Sequence, residues 1–266
     1  MTIRVVIAGP RGRMGTEAIK MMLAKNDLQL IACIDRKNDG KKLKDISSFN
    51  LNIPIYEDAN QCFDEVKPDV LLDLTVPEAG FQNTKIALTH YVRPVVGTSG
   101  FTHEQLNELE ELANKNKVGC IIAPNFAIGA VLMMQFSKIA AKYFPHVEII
   151  EKHHDRKIDA PSGSLMKTVD LIRENRKKIK QGHPDEYETV EGVRGGDIDG
   201  FKIHSVRLPG LVAQQEVIFG GTSQLLTIKH DSFHRESFME GIYRAITHIM
   251  NETSFIYGLE NILDFD

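Results

Sequence analysis

The residues of this 266-residue chain best equipped for chemistry lie in one polar segment: Glu151, His153, His154, Asp155, Lys157, Asp159, Pro161, Ser162, Gly163 and Ser164. Pro161 to Ser164 stand where a helical pattern begins. Free amides and two hydroxyls therefore converge beside Lys157 and can hold a carboxylate. His153 and Lys157 add proton donors to that anion site. The paired histidines with Asp155 suit a metal poorly, because neighbours on a strand point to opposite faces, and no HExxH-type spacing is present. The expectation is an anion site with an acid in it and no metal.

A second constellation opens the chain. Gly9, Gly12 and Gly15 follow an apolar run and begin a helical pattern, a GxxGxxG variant of the commoner GxGxxG. Glycines there permit a tight turn and let a pyrophosphate approach the free amides of a helix N-terminus. The next apolar run ends in Asp35, 20 residues beyond Gly15, where a carboxylate can accept hydrogen bonds from the adenosine ribose. Arg36 follows at once, and Arg11 and Arg13 lie in the glycine loop, so a cationic cluster is also present for a 2′-phosphate. The carboxylate favours NADH and the guanidiniums favour NADPH; both are expected to bind, with the preference open. Three further loops fall beyond strand ends, where ligands of open parallel sheets bind: Thr75 to Glu78, Gly97 to Phe101 and Ala123 to Phe126. The last two are candidates to grip a nicotinamide through backbone groups and a ring contact.

The elements that must position these residues read as follows. Apolar runs at residues 3–8, 28–35, 70–75, 94–98 and 118–124 alternate with helical patterns at 16–25, 78–90 and 102–117. The last helix opens with a capping box, Thr102 with Gln105. This is the pattern of an α/β, Rossmann-like doubly wound parallel sheet. After Phe126 the pattern changes. A helix at 128–143, a strand at 147–152, a helix from 162 to about 178 and a Gly-rich stretch at 181–200 precede strands at 201–207, 214–219 and 224–230. That order predicts a second, α+β domain with a mixed open sheet. The domains are expected at 1–127 and 128–232, with a helix at 233–250 and the tail to 266 packing back on the first.

Composition narrows the function classes. A formal charge of −4 supplies no global basic field, so no nucleic-acid partner is expected. Three cysteines without paired spacing, two of them inside apolar runs, argue against a disulfide framework or a zinc site. The most apolar stretch, 126–134, is far short of the ~20 residues a membrane span needs. The N-terminal run has no basic flank or cleavage pattern. The expectation is a cytoplasmic protein without membrane contact.

Together these motifs resemble the bacterial dihydrodipicolinate reductase (4-hydroxy-tetrahydrodipicolinate reductase) family of the diaminopimelate route to lysine. The resemblance runs through the GxxGRMG turn, the loop from Asp73 to Pro77, the loop from Gly97 to Phe101, Asn125 with Phe126, and the E-x-HHxxKxDAPSG segment from Glu151 to Gly163. Ser99 and Ser164 stand where the family usually has Thr, and both keep the hydroxyl and the amide. The resemblance implies hydride reduction of a small cyclic dicarboxylate by NADH or NADPH with loss of water. It implies that His153 and Lys157 handle protons and that His154, Ser162, Gly163 and Ser164 hold substrate carboxylates. Gly9, Pro10, Arg11, Gly12, Arg13, Met14, Asp35, Arg36, Gly97, Thr98, Ser99, Ala123, Pro124, Asn125 and Phe126 would carry the cofactor. It also implies a homotetramer. Competing readings are another nicotinamide dehydrogenase of a small amino or keto acid, and a non-catalytic NAD(P)-sensing protein, which would have no need of His153 and Lys157.

Overall fold

The computed structural model describes residues 2–264 and divides the chain into two compact units, one formed by Met1–Phe126 with Phe238–Asp266 and the other by Ala127–Ser237. The first stretch contains β1 (Ile3–Ala8), α1 (Arg13–Leu23), β2 (Leu28–Ile34), α2 (Leu43–Ile46), β3 (Ile55–Tyr56) and α3 (Ala59–Val66). It continues with β4 (Val70–Asp73), α4 (Pro77–Thr89), β5 (Arg93–Val96), α5 (His103–Asn116) and β6 (Cys120–Ile122). The second unit holds α6 (Ile128–Ala140), β7 (His146–His153), α7 (Gly163–Asn175), β8 (Gly196–Ile198), β9 (Phe201–Arg207), β10 (Ala213–Gly221) and β11 (Gln224–Ser232). The chain then returns to the first unit as α8 (Met239–Ile249) and β12 (Phe255–Tyr257).

In the first unit seven strands pair in the order β12-β6-β5-β4-β1-β2-β3, all in parallel. A parallel sheet with helices on both faces buries its central strands completely, which is why β1 and β4 are unbroken apolar runs. Val5 to Ala8 and Val70 to Leu72 are fully buried. The strand order reverses between β1 and β4, the crevice where such sheets take ligands. The Thr102–Gln105 capping box forms with both of its hydrogen bonds, 3.2 and 2.9 Å.

Several elements differ from the sequence expectation. The stretch between Asp35 and Val70, for which the apolar spacing predicts no element, contains α2, β3 and α3. β3 has only two residues, too few to show a period, but α3 is capped by Asp58, whose carboxylate accepts from the amides of Asn60 and Gln61. α1 starts at Arg13, ahead of the expected Thr16, because Gly12 already serves as its N-cap. The expected helix at 233–250 is a 3-10 turn, Arg235–Phe238, followed by α8. The tail does not merely pack: Phe255 to Tyr257 pair with Cys120 to Ile122 and extend the sheet.

The second unit is a mixed five-stranded sheet, ordered β11-β10-β7-β9-β8, in which β7 runs parallel to β9 and antiparallel to β10. The short strand β8, inside the Gly-rich stretch, was also not expected. α6 and α7 pack together, and α6 lies against β10 and β11. Val147 and Ile149 of β7, Val217 and Phe219 of β10 and Leu165, Val169 and Ile172 of α7 are buried in this core. β7 extends one residue beyond expectation, to His153.

Candidate active site

The glycine turn between β1 and α1 is shaped by two contacts. Gly9 has φ +84°, and a Cβ there would lie 2.9 Å from the Leu74 carbonyl oxygen. A Cβ on Gly15 would come within 2.1 Å of the Gly9 carbonyl oxygen, so α1 backs directly onto the turn. Gly12, as N-cap, offers no side-chain acceptor, and no acid lies in the first turn. The first amides of α1, from Arg13 onward, therefore present the positive end of a helix to an anion. The Gly12 amide itself donates to Gly9 O at 3.1 Å. Pro10 is buried, Met14 half-buried and Arg13 exposed.

Beside this turn lies a cleft of about 570 Å³, bounded among others by Gly9, Arg11, Gly12, Asp35, Arg36 and Thr75. Asp35 is its best-connected group. Arg11 grips its carboxylate with one guanidinium edge, Nε to Oδ2 at 2.6 Å and Nη2 to Oδ1 at 3.1 Å, and the Lys37 amide and Asn38 Nδ2 add bonds of 3.0 and 2.9 Å. Burial pulls the Asp35 carboxyl upward, but the Arg11 hydrogen bond, the Lys37 amide and Asn38 outweigh it and hold it below the ordinary aspartate range. Val76, from the expected Thr75 to Glu78 loop, also lines the cleft, as do Lys37, Glu57, Ala79, Gln82 and Asn83, which no sequence signal marks.

The loops after β4 and β5 are tied together by Asp73, which the sequence marks only as part of a motif. Its fully buried carboxylate accepts from the Thr75 amide (3.0 Å) and hydroxyl (2.7 Å), from Thr98 Oγ1 (2.8 Å) and from Asn83 Nδ2 (2.8 Å). The Thr98 hydroxyl is thus spent inside the fold, and what Thr98 offers a ligand is main chain. Gly97 sits close over Phe126: a Cβ there would meet the Phe126 ring at 3.2 Å and Leu74 at 2.7 Å. The Phe126 ring, expected to touch a ligand, is 2% exposed. Ala123 is buried and its amide bonds Val96 O at 2.9 Å, while Ser99 and Pro124 are exposed and Asn125 is half-buried.

The second constellation lies entirely in the second unit. His153 ends β7, and its Nδ1 bonds Glu151 Oε2. The other oxygen of Glu151 accepts from Arg207 Nη2 at 2.7 Å, and the same nitrogen reaches the Asp159 carbonyl at 2.8 Å. Glu151 is fully buried; burial alone would raise its carboxyl, yet hydrogen bonds from His153, Arg207 and Ser205 hold it at about 2. Lys157 is gripped by both oxygens of Asp159, at 2.7 and 2.8 Å. Ser162 caps α7, accepting from the Leu165 amide at 3.2 Å, so its hydroxyl is engaged while Gly163 stands exposed with open space above its Cα. His154 is half-buried, and its Nδ1 makes no hydrogen bond among the described residues. Ser164 lies in the first turn of α7.

With this geometry in place, the sequence matches two family models, described as dihydrodipicolinate reductase N-terminus over residues 3–126 and C-terminus over residues 129–263. The chain belongs to the dihydrodipicolinate reductase family. The relatives of that family include 4-hydroxy-tetrahydrodipicolinate reductases from Oceanobacillus iheyensis and Geobacillus kaustophilus. Each is 58% identical over 265 residues, covering 99% of this chain and all of the relative. A solved dipicolinate-bound dihydrodipicolinate reductase from Paenisporosarcina sp. TG-14 superposes with a TM-score of 0.90 at 52% identity, over 99% of this chain and 100% of that one. Among the described residues, no group of three or more His, Cys, Asp or Glu is arranged to hold a metal, and no helix is long and apolar enough to cross a membrane.

Proposed function

We propose that the chain reduces 4-hydroxy-tetrahydrodipicolinate to tetrahydrodipicolinate with loss of water, using NADH or NADPH, in the diaminopimelate route to lysine. The observation that carries this reading is the presence in one chain of a glycine-turn cleft ending in Asp35 and an acid-bearing anion site between β7 and α7.

The first unit fits a dinucleotide. The amides at the start of α1 suit the pyrophosphate, and Asp35 with Arg11 and Arg36 suits the adenosine ribose or its 2′-phosphate. Asp35 Oδ1 already takes three donors, so a ribose hydroxyl is best accommodated by displacing Arg11 at Oδ2; a 2′-phosphate would instead draw Arg11 away. Main-chain groups of Gly97 to Ser99 and Ala123 to Phe126 face the ends of β5 and β6, where a nicotinamide would be held. The bound nicotinamide supplies a hydride.

The second unit serves the substrate. The amides of Gly163 and Ser164 at the N-terminus of α7, with His154, receive its carboxylates. Hydride addition to a conjugated carbon leaves negative charge, for which Lys157 and His153 are the proposed proton donors. Asp159 keeps the Lys157 ammonium in position until a substrate carboxylate competes for it. This unit is also proposed to assemble the protein as a homotetramer. Leu225, 76% exposed on β11, supports a sheet-to-sheet contact, and sedimentation analysis gives the subunit number.

The deciding experiment couples the purified protein to freshly made 4-hydroxy-tetrahydrodipicolinate and follows reduced-nicotinamide absorbance with each cofactor. Oxidation with at least one is expected; cofactor binding without any turnover would favour a nucleotide-sensing role instead.

A further inference from the structure

Alternation along β7 places Val147, Ile149, Glu151 and His153 on one face, and the first two are 2% and 0% exposed. Glu151 therefore continues a core-facing row, where a carboxylate is costly unless every oxygen is satisfied. Its lateral neighbour on β10, Gln215, does not help, since that side chain donates to Thr168 Oγ1 at 2.7 Å. The partners come instead from β9 and from β7 itself: Arg207 at Oε1, the Ser205 side chain, and His153 Nδ1 at Oε2. Arg207 has a second task. Its Nη2 also binds the Asp159 carbonyl, and the carboxylate of that residue holds Lys157.

We propose that Glu151 is a positioning residue that acts through His153 and, by way of Arg207, through the Lys157 loop. A carboxylate without a proton can only accept, so the Nδ1 it faces must carry the hydrogen. Neutral His153 is thereby fixed as the Nδ1–H tautomer, and Nε2 becomes the one ring atom that exchanges a proton with substrate. The same carboxylate, gripping Arg207, ties the loop that bears Lys157 to the end of β7, so two proton-handling side chains share one buried anchor. The separation explains why no local motif shows it: Arg207 lies 56 residues beyond Glu151 and 48 beyond Asp159. This role rests on the proposed reductase reading, and its test is chosen to fail separately.

The test is nitrogen-15 NMR of the histidine rings in the full-length protein, with kinetics of E151Q. In the wild type, neutral His153 should show a protonated Nδ1 and a bare Nε2. In E151Q the amide offers hydrogens as well as an acceptor, so the Nε2–H form should appear. Turnover should fall about 10- to 100-fold, the usual worth of a group that orients another, with KM for the dicarboxylate changed much less and cofactor affinity unchanged. A wild-type His153 in the Nε2–H form overturns the proposal, whether or not the variant folds. So does an E151Q protein with wild-type kcat and tautomer. Absence of turnover in the wild type itself, with the Nδ1–H tautomer present, removes the reductase reading and leaves the geometric assignment standing.

Discussion

Arg11 and Asp35 illustrate how two candidate ligand-binding side chains can satisfy each other until a ligand arrives. Charge-assisted hydrogen bonds of this kind are worth about 1.5–3 kcal/mol each. Replacing Arg11 with Ala should therefore weaken NADPH by about tenfold or more. NADH should be affected less, because Asp35 is freed for the ribose hydroxyls. Titration calorimetry with both cofactors reads the ratio, and an equal loss for the two would remove Arg11 from the 2′-phosphate site. In the other unit, Lys157→Ala should lower turnover by about two or more orders of magnitude, the typical contribution of a placed proton donor. Cofactor affinity should survive, as followed by fluorescence of bound NADPH; loss of cofactor with chemistry intact would reverse the assignment of roles. The chemistry of Asp35, His153 and Lys157 was visible in the sequence because each lies at a fixed offset from a strand end or a helix start. Asp73 and Arg207 were not recognised as hubs, because their partners, such as Thr98 at 25 residues and Glu151 at 56, become neighbours only when strands pair.

Among elements, the longest helices and the central strands were legible, whereas the shortest strands and the two-turn, Asp58-capped α3 were not. The long helices and central strands appear close to where apolar spacing puts them, whereas β3, β8 and β12 have only two or three residues and depend on the strand beside them for their shape. The start of α1 is a sharper case. Its first turn carries a single apolar side chain, Met14, yet Gly12 and the packing of Gly15 fix it at Arg13. Gly15→Ala would drive a methyl group into the Gly9 carbonyl. The helix must then move off the turn, at about 1–3 kcal/mol by the usual cost of overpacking. Both the thermal midpoint and the affinity for either cofactor should fall. A variant with unchanged midpoint and cofactor affinity would mean that α1 is not pinned there.

For the molecule as a whole, the engaged carboxylates set the response to acid. The Glu151 carboxyl lies near 2, compared with 4.5 for an ordinary glutamate, and those of Asp35, Glu148 and Asp159 are also depressed. Between those two values the unfolded chain binds the proton that the folded chain refuses. The stabilisation from Glu151 is complete above about pH 4.5 and is lost progressively as the pH falls toward 2. Urea midpoints measured from pH 7 down to pH 3 should decline on the acid side, with a shallower decline in E151Q; parallel curves would show that Glu151 does not contribute.

The first unit is assembled from two separated stretches of chain, with Ala127–Ser237 inserted between them and β12 as the last strand of its sheet. On the ribosome, the inserted part is synthesised in full before Phe255 to Tyr257 can emerge to pair with β6. The nucleotide-binding half, though begun first, is therefore the last to be finished, and a message truncated after residue 237 would yield a complete inserted unit beside a sheet whose β6 edge remains open.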